Sequence, residues 1–327
     1  MRVTIKDLAK YCGYSVTTVS YALNGNKEIP EVTKQKILKA AKELNYVPSF
    51  YARGLKSSKT YNIGVYIPDF DSPIRHMIIS GIARGFKEYD NRYKIVVLLP
   101  DEKMTFIRGR SLDLSIIMDP KVNDSTIIDL ATILPIIVFD KIVSGKNVFI
   151  ANVNNEKGIY DLTNLLLQKN KRIGYVLGSD DSYHNKQRYE GYKKALIDNN
   201  IEIVDNIIYN AHSFTEDAGF NLVDNLLTGI NKLPFDVLMC ANDELAMGAI
   251  NAFLLHGYSI PNDVKVTGFD NNQLSAVIIP SLTTISIDWF SFGIELAKYA
   301  LDIINKKEVV NSLVINSASI IERDSTK

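Results

Sequence analysis

Residues 4–25 have the sequence TIKDLAKYCGYSVTTVSYALNG, which contains two short helical patterns, each followed by a glycine. Thr4 is a good helix cap, and the apolar residues at 5, 8, 9 and 12 follow the spacing of one buried helix face. Gly13 favours a helix end, because glycine adopts the left-handed conformation at little cost. Ser15 can cap a second helix, which an Asn-Gly pair ends. The stretch therefore predicts two helices joined by a tight turn.

A third helix, a short fourth helix and a linker follow this pair. Apolar residues at helical spacing predict the third helix over 30–45. Pro48 suits the start of a helix that continues to about residue 56 and has little to bury, so that alone it should be marginal. We predict an N-terminal helical domain over 1–47, a hinge helix and linker over 48–60, and a larger core over 61–327.

The charge of the chain is unevenly distributed. Its 37 Lys and Arg balance 37 Asp and Glu. Residues 1–60 contain eleven basic and four acidic residues, a net charge of +7, so the rest carries −7. This asymmetry predicts that the N-terminal domain contacts a polyanion, although a solvated basic surface would have the same composition.

The composition excludes several classes of protein. Cys12 and Cys240 are too few for a disulfide framework or a zinc site, and the four histidines have no metal-binding spacing. The longest apolar runs have the length of strands, and the N-terminus has charges where a signal peptide needs apolar residues. We therefore expect a cytoplasmic protein with no membrane contact, no metal and no cofactor.

From Asn62 the pattern changes to alternating strands and helices. Apolar runs predict strands at 63–68, 95–99, 115–118, 136–139, 173–177, 237–240 and 264–269. Helical patterns lie at 77–89, 156–168, 188–198, 216–227, 243–256 and 290–304. Repeated β–α units predict an α/β core of parallel sheets covered by helices, and its length favours two lobes. Ligands of such sheets bind beyond the carboxyl ends of the strands, so a cleft between the lobes is the expected site.

Several spaced motifs run along nearly the whole chain. They are residues 4–9, 15–25, 43–48, 52–56, 152–158, 188–192, 241–246, 268–271 and 281–285. In this order they resemble the LacI/GalR family of bacterial transcription repressors. The resemblance implies an N-terminal helix-turn-helix DNA-binding domain and a two-lobed effector core akin to periplasmic sugar-binding proteins.

The resemblance also implies roles in DNA binding, with the second helix in the major groove. The implied base contacts are Val16, Thr17 and Tyr21. The implied phosphate contacts are Thr4, Ser15, Thr18, Ser20 and Asn24. The implied minor-groove hinge contains Ala52, Leu55 and Lys56, with Leu55 as a wedge between base pairs. Many members have Arg where this chain has Tyr21, so its operator should depart from the usual half-site. The structural alternative is a generic helical hairpin, with Val16 and Tyr21 packed on the third helix and Leu55 packed on the core.

In the core, the resemblance implies a set of effector contacts. These are Asp71, Ser72, Asp140, Arg188, Asn242, Asp270 and Trp289. Such carboxylates, amides and guanidinium groups provide the paired donors and acceptors that polyols need, and Trp289 could provide an aromatic plate. Each has a structural alternative: Asn242 and Asp270 could cap helices, and Trp289 could be plain core. The first lobe is expected at about 61–151 and 284–310, the second at about 152–283 and 311–327.

Two departures from the family concern the first lobe. The family usually has an Asn-Pro-Phe-Phe-like run after the first strand, where this chain has Asp71-Ser-Pro-Ile-Arg-His76. Asp71, Arg75 and His76 should change the polarity of that side of the pocket. Between Leu99 and Ser115 the chain is too short for a full helix, which affects the dimer surface expected there.

The predicted function is a ligand-responsive repressor of sugar-utilisation genes that binds a pseudo-palindromic operator as a homodimer, because symmetric half-sites need a two-fold protein. One alternative is a regulator with a nucleobase or phosphorylated metabolite as corepressor. A remote alternative is a transport binding protein. An enzyme is not predicted, because the sequence has no GxSxG, P-loop or dinucleotide fingerprint.

Overall fold

The computed structural model describes residues 3–23, 28–46, 59–230, 232–315 and 318–327. The chain forms two compact units, Met1–Tyr61 and Asn62–Lys327, which we call the head and the core. None of the described helices is long and apolar enough to cross a membrane.

The head contains helices α1 (Ile5–Cys12), α2 (Val16–Leu23) and α3 (Glu31–Glu43). Each contributes one fully buried side chain to a common centre, namely Leu8, Val19 and Ile37. These are the positions that the helical spacing of apolar residues predicts for the inner faces. A small hydrophobic core therefore holds the helices together.

The ends of α1 follow from two residues. The Thr4 hydroxyl accepts a hydrogen bond from the Asp7 N–H at 3.3 Å, and the Asp7 carboxylate accepts one from the Thr4 N–H at 2.9 Å. This reciprocal cap satisfies two N–H groups that have no partner inside the helix. Gly13 ends the helix with φ at +73°, a left-handed conformation that favours glycine.

The core alternates strands and helices. In chain order its strands are β1 (Asn62–Tyr66), β2 (Lys94–Leu98), β3 (Leu114–Ile117), β4 (Ile136–Phe139), β5 (Val148–Val153), β6 (Ile173–Leu177), β7 (Ile208–Asn210), β8 (Val237–Cys240), β9 (Lys265–Thr267), β10 (Thr284–Ile287), β11 (Ser312–Ile315) and β12 (Ala318–Ile321). Its α-helices are α4 (Pro73–Tyr89), α5 (Thr105–Arg108), α6 (Asp124–Leu130), α7 (Asn155–Leu167), α8 (Tyr183–Asp198), α9 (Glu216–Gly229), α10 (Asp243–Leu255) and α11 (Trp289–Ile304).

The first lobe is built on a six-stranded parallel sheet of order β11-β5-β4-β3-β1-β2. Helices α4 and α11 pack closely together. A Cβ atom at Gly81 of α4 would lie 2.1 Å from the carbonyl oxygen of Phe290 in α11, so only glycine allows this approach. The helix pair is thereby fixed as one layer of the lobe.

The second lobe is built on a four-stranded parallel sheet of order β7-β6-β8-β9. Strands β10 and β12 form a separate antiparallel pair, and a parallel bridge between Asp270 and Ser286 links this pair to the loop after β9. Helix α7 packs against both strands of the pair. The antiparallel pair therefore lies on the side of the second lobe.

These pairings correct the predicted division into lobes at two places. Residues 284–287 were expected in the first lobe, but β10 pairs with β12 beside the second sheet. Residues 312–315 were expected in the second lobe, but β11 pairs with β5 in the first sheet. Strands β11 and β12 thus belong to different sheets, and the composition of such short apolar runs does not indicate which sheet they join.

Several boundaries also differ from the expected ones. Helix α8 begins at Tyr183 rather than 188, because Ser182 caps it by accepting the Asn185 N–H at 3.0 Å. Strands β5, β7 and β10 and helix α6 were not predicted. Between 99 and 115 the structure has only the four-residue helix α5, as the short spacing predicted.

Candidate functional site

A cavity of about 540 Å³ lies between the two lobes of the core. Its walls include the loops after β1, β3 and β4 on one side and those after β6, β7 and β8 on the other. These loops follow the carboxyl ends of parallel strands, the edge at which α/β sheets bind ligands. The volume lies in the range of small-molecule pockets, roughly 300–1,000 Å³.

Every effector contact that the family resemblance implied lies on the wall of this cavity. These residues are Asp71, Ser72, Asp140, Arg188, Asn242, Asp270 and Trp289. They come from separate loops of both lobes, and only the fold brings them together. Their role as ligand contacts stays a prediction.

Arg188 projects from α8 and is only 4% exposed. Its Nε donates to Asn155 Oδ1 at 2.8 Å, and its two terminal nitrogens donate to the Ala241 carbonyl at 2.6 Å and to Asp270 Oδ1 at 3.2 Å. The guanidinium also lies 3.8 Å from the centre of the Phe269 ring. These contacts fix its orientation and leave two of its five N–H donors without a partner among the described residues.

Asp270 is the buried anionic partner of Arg188. Its backbone has φ at +111°, a conformation that residues with a side chain rarely adopt. Burial raises the pKa of its carboxyl to about 6, against the opposing effect of Arg188. The pair therefore presents a fixed donor and a fixed acceptor side by side on the cavity wall.

Asp140 connects the two lobes. It follows β4, and its Oδ1 accepts hydrogen bonds from the Ser182 hydroxyl at 3.0 Å and the His184 N–H at 2.6 Å, at the start of α8. Its own N–H donates to Asn152 Oδ1 at 3.0 Å, and that oxygen lies 3.1 Å from His184 Nε2. Burial lowers the pKa of His184 to about 4, so its ring is neutral at pH 7. Asp140 thus holds a helix of the opposite lobe as well as lining the cavity.

Asn242 caps a helix, as the structural alternative for this residue predicts. Its Oδ1 accepts the Leu245 N–H at 3.1 Å and caps α10. Its amide nitrogen donates to the Phe214 carbonyl at 3.0 Å and to the carboxylate of Glu244. The side-chain hydrogen bonds of Asn242 are therefore used within the protein, which limits what it can offer a ligand.

The exposed area of Trp289 contradicts its predicted use as an aromatic plate in this conformation. The residue is only 1% exposed, and Phe139 and Phe292 pack edge-on against the indole ring. Little ring surface is left for stacking on a sugar. The buried indole N–H is directed at the Asp270 carboxylate, whose pKa it lowers, although the contact does not meet strict hydrogen-bond geometry.

Sequence reasoning missed several residues of the site. Asn155, which holds Arg188 from behind the wall, belongs to the 152–158 motif but was given no role. Glu244 and His184 line the cavity. An acidic residue in the first turn of a helix is common for electrostatic reasons alone, so nothing in the sequence distinguished Glu244. The run after β1 contributes Asp71 and Arg75, whereas His76 is exposed and lies outside the wall.

The cavity wall has a surplus of acidic residues. Its carboxylates are Asp69, Asp71, Asp119, Asp140, Glu216, Glu244 and Asp270, and its cations are Arg75, Lys121 and Arg188. Two of the cations are already paired, Arg188 with Asp270 and Arg75 with Asp69. The remaining field is therefore unfavourable for anionic ligands. The described residues contain no group of His, Cys, Asp and Glu that could hold a metal ion.

In the head, the side chains predicted to contact bases lie on the surface. Val16 is 42% and Tyr21 38% exposed, and Thr17 is exposed as well. Thr18 and Ser20 are half-buried. The Ser15 hydroxyl accepts the Thr18 N–H at 3.0 Å, in the manner of a helix cap. Thr4 also caps a helix, so both retain a structural function.

Four predicted DNA contacts lie outside the described residues. They are Asn24, Ala52, Leu55 and Lys56. Residues 48–58 of the predicted hinge helix and linker also lie outside the described residues. The roles assigned to these residues stay predictions.

Comparison with known proteins agrees with this division of the chain. Residues 4–49 match the family described as bacterial regulatory proteins, lacI family, and residues 163–326 match a periplasmic binding protein-like domain. The chain is 33% identical to the HTH-type transcriptional regulator RegA of Clostridium saccharobutylicum, over the whole length of both proteins. These relatives are transcriptional regulators, not enzymes.

Solved structures share the fold. The lac repressor dimer bound to operator and the anti-inducer ONPF has a TM-score of 0.85 at 24% identity, covering 100% of this chain and 99% of that one. A LacI family regulator from Enterococcus faecium with bound ribose has a TM-score of 0.71 at 25% identity, covering 81% and 98%. Together with the full-length likeness to RegA, these matches show that the chain is a ligand-responsive transcriptional regulator that belongs to the LacI family.

Proposed function

We propose that this chain represses transcription by binding a pseudo-palindromic operator as a homodimer, and that a neutral sugar in the cavity releases it from DNA. The observation that carries the ligand class is the buried Arg188–Asp270 pair, a fixed donor beside a fixed acceptor. Hydroxyl groups both donate and accept, so a polyol can satisfy both partners at once.

The charge of the cavity favours a neutral ligand over a phosphorylated one. A phosphate group would lie among seven carboxylates and compete for cations that are largely paired. Like charges repel each other at short range, and in a partly buried site this repulsion weakens ligand binding. The ribose bound by the Enterococcus faecium relative is in keeping with a sugar.

DNA binding by the head follows from its net charge and its exposed helix. Eleven basic residues precede the core, and α2 presents Val16, Thr17 and Tyr21 on its surface. Neutralising DNA phosphates releases counterions, so operator affinity should fall steeply as salt rises. An operator affinity that is flat between 50 and 200 mM salt, conditions over which phosphate contacts normally cost orders of magnitude, would contradict this part.

Exposed apolar side chains of the second lobe support a homodimer. Leu255 at the end of α10 is 69% exposed, and Val277 and Ile279 on the next loop region are 69% and 87% exposed. Single exposed apolar side chains are ordinary, so what favours a dimer contact at these three is the dimer formed by the similar lac repressor. Sedimentation should show a dimer for the wild type and a shift toward monomer for Ile279→Asp. The matched control is Ile197→Asp, which changes an exposed residue of α8 and should leave the dimer intact.

The ligand is tested by thermal unfolding of the full chain with ribose, glucose and cellobiose, their phosphates ribose 5-phosphate and glucose 6-phosphate, and the nucleobases adenine and hypoxanthine. A ligand at 100 times its Kd stabilises the folded state by about 2.7 kcal/mol, which a thermal scan detects. We expect an uncharged sugar to raise the Tm and to release a labelled operator. Stabilisation only by a phosphate ester or a nucleobase would refute the sugar and favour a corepressor.

A further inference from the structure

Two charged side chains on the cavity wall, one from each lobe, have hydrogen-bonding capacity that the protein uses only in part. Arg75 lies in the first turn of α4, and Glu244 lies in the first turn of α10. Both line the cavity. Neither belongs to the Arg188–Asp270 network, and sequence reasoning gave Glu244 no role.

Arg75 has one partner and one unsatisfied donor. A terminal nitrogen of its guanidinium donates to the carboxylate of Asp69. Its Nε–H is buried and has no hydrogen-bond partner among the described residues. A buried donor without a partner costs free energy, so an acceptor that a ligand brings to this N–H would recover that cost.

The position of Arg75 in its helix strengthens the case. The N-terminal turn of a helix carries a partial positive charge, and a cation there is unfavourable. The first turn of α4 has no acidic residue to offset it. Helix stability therefore does not explain an arginine at this position. Its hydrogen bond to Asp69 uses only one of the N–H groups of the guanidinium.

Glu244 lies on the second-lobe side of the cavity wall. Its carboxylate accepts hydrogen bonds from the Asn242 amide and from its own backbone N–H, which leaves lone pairs of the two oxygens for a ligand donor. Burial and the nearby Asp270 raise the pKa of Glu244 to about 7, against the opposing charges of Arg188 and, less strongly, Arg75. Arg75 and Glu244 line the same cavity, and no ion pair joins them within the described part of the chain.

We propose that Arg75 and Glu244 form a second recognition pair, which binds adjacent hydroxyl groups of the sugar and selects the uncharged sugar against its phosphate ester. This inference rests on the proposed function. A hydroxyl oxygen accepts a hydrogen bond from the Nε–H of Arg75, and a neighbouring hydroxyl group donates a hydrogen bond to the Glu244 carboxylate. A phosphate can only accept, and at this place it meets Glu244, Asp69 and Asp71. Because Arg75 and Glu244 belong to different lobes, a sugar bound to both side chains also connects the two lobes.

The test compares Arg75→Gln, Glu244→Gln and the double variant with the wild type in calorimetric titrations of the full chain. The probes are ribose, glucose, cellobiose, ribose 5-phosphate and glucose 6-phosphate. Each single variant should bind the sugar that the wild type binds about ten- to a hundredfold more weakly, the range of one hydrogen bond to a charged group. Glu244→Gln should also reduce the preference for that sugar over its phosphate by about tenfold or more.

The double variant and two controls separate recognition from folding. Because both groups bind one sugar, the loss in the double variant should be smaller than the product of the single losses. Arg84→Gln on α4 and Glu190→Gln on α8 remove exposed charges that also have an oppositely charged partner, and they should leave sugar affinity unchanged. If Glu244→Gln does not fold, Glu244→Asp provides the same comparison with a shortened carboxylate.

Two outcomes would overturn the proposal, and they differ from each other. Sugar affinities within twofold of the wild type in both single variants, with an unchanged preference over the phosphate, would refute the recognition pair and leave the sugar-responsive repressor standing. Absence of binding of every sugar probe to the wild type would refute the proposed ligand class, and with it the pair.

Discussion

The head and the core carry their candidate functional residues in opposite environments. In the head, Val16 and Tyr21 are 42% and 38% exposed, and neither belongs to the buried centre of the three helices. In the core, Arg188 and Asp270 are 4% and 8% exposed and hold each other and the surrounding loops. The proposed DNA contacts are therefore separable from folding in the head, whereas in the core the proposed ligand contact Arg188 also has a structural role. Substitutions at matched positions can test this contrast.

The largest effect is expected for Arg188→Ala. The substitution leaves the Asp270 carboxylate buried without its partner and removes the hydrogen bonds to Asn155 and Ala241. Breaking one side of a buried ion pair costs about 3–5 kcal/mol of unfolding free energy. Trp289, the only tryptophan, lies in the core, so its fluorescence in a urea titration reports the core alone. The same variant should lose its response to sugar while the head still binds operator under conditions where the core stays folded.

A matched substitution provides the control for Arg188→Ala. Arg84→Ala removes an exposed guanidinium paired with Glu88 on α4, and such surface pairs contribute about 0–1 kcal/mol. If the two variants lost similar stability, the Arg188 network would not be the structural element that we describe. If Arg188→Ala responded to sugar like the wild type, the ligand site would lie elsewhere.

Leu8→Ala should have the next largest effect, confined to the head. Leu8 is fully buried against residues of α2 and α3, and truncating a buried leucine costs about 2–5 kcal/mol. A small domain has little stability to lose, so operator binding should disappear. The Trp289 fluorescence transition should stay where it is. Val32→Ala, at a position 70% exposed on α3, is the control and should retain operator binding.

The contrast between the two units also explains how far the sequence could be interpreted. In the head, Thr4, Gly13 and the spacing of Leu8 were enough to predict helix ends and inner faces, because caps and apolar periodicity act locally. The two-lobed α/β fold was predicted correctly from repeated β–α units. The lobe to which β10 and β11 belong could not be predicted, because strand pairing depends on which sheet edge the chain meets and not on its composition.

The sequence indicated which residues line the candidate site better than it indicated their burial and hydrogen-bond partners. The resemblance implied seven residues that line the cavity. It did not indicate that the side chain of Asn242 is used in hydrogen bonds within the protein, including a helix cap. Nor did it indicate that Phe139 and Phe292 cover Trp289. Burial and hydrogen-bond partners arise from tertiary packing. Glu244 was missed for a related reason, since its acidic character is ordinary for a helix start and becomes informative only beside the cavity.

The pH dependence of unfolding should distinguish Glu244 from the other buried titratable groups. Its pKa is raised to about 7 from 4.5, so the folded protein binds a proton that the unfolded chain releases. Its contribution to stability is full below pH 4.5 and is lost as pH rises to about 7, by at most about 3 kcal/mol. Asp270 acts in the same direction at lower pH, whereas His184, with its pKa lowered to about 4, opposes both.

The difference between the wild type and Glu244→Gln isolates this contribution. Urea titrations followed by Trp289 fluorescence between pH 5 and 8 should show a fall in wild-type stability, relative to the variant, as pH increases. Glu190→Gln, which changes an exposed glutamate of α8, should track the wild type at every pH. A constant difference between the wild type and Glu244→Gln across this range would contradict the raised pKa.

The smallest effect on stability, and the clearest separation from folding, is expected for Tyr21. The side chain lies on the exposed face of α2, so Tyr21→Phe should change the unfolding free energy of the head by no more than about 0.5 kcal/mol. Its hydroxyl can make one hydrogen bond to a base edge, and loss of such a contact costs about 1 kcal/mol of discrimination. Operator selection from a library of randomised half-sites should therefore show relaxed preference at one position. Lys10→Gln is the contrasting substitution, because a phosphate contact weakens all sequences equally and lowers the salt dependence. An unchanged preferred site for Tyr21→Phe, together with a changed one for Lys10→Gln, would reverse the two roles and remove Tyr21 from the set of residues that recognise bases.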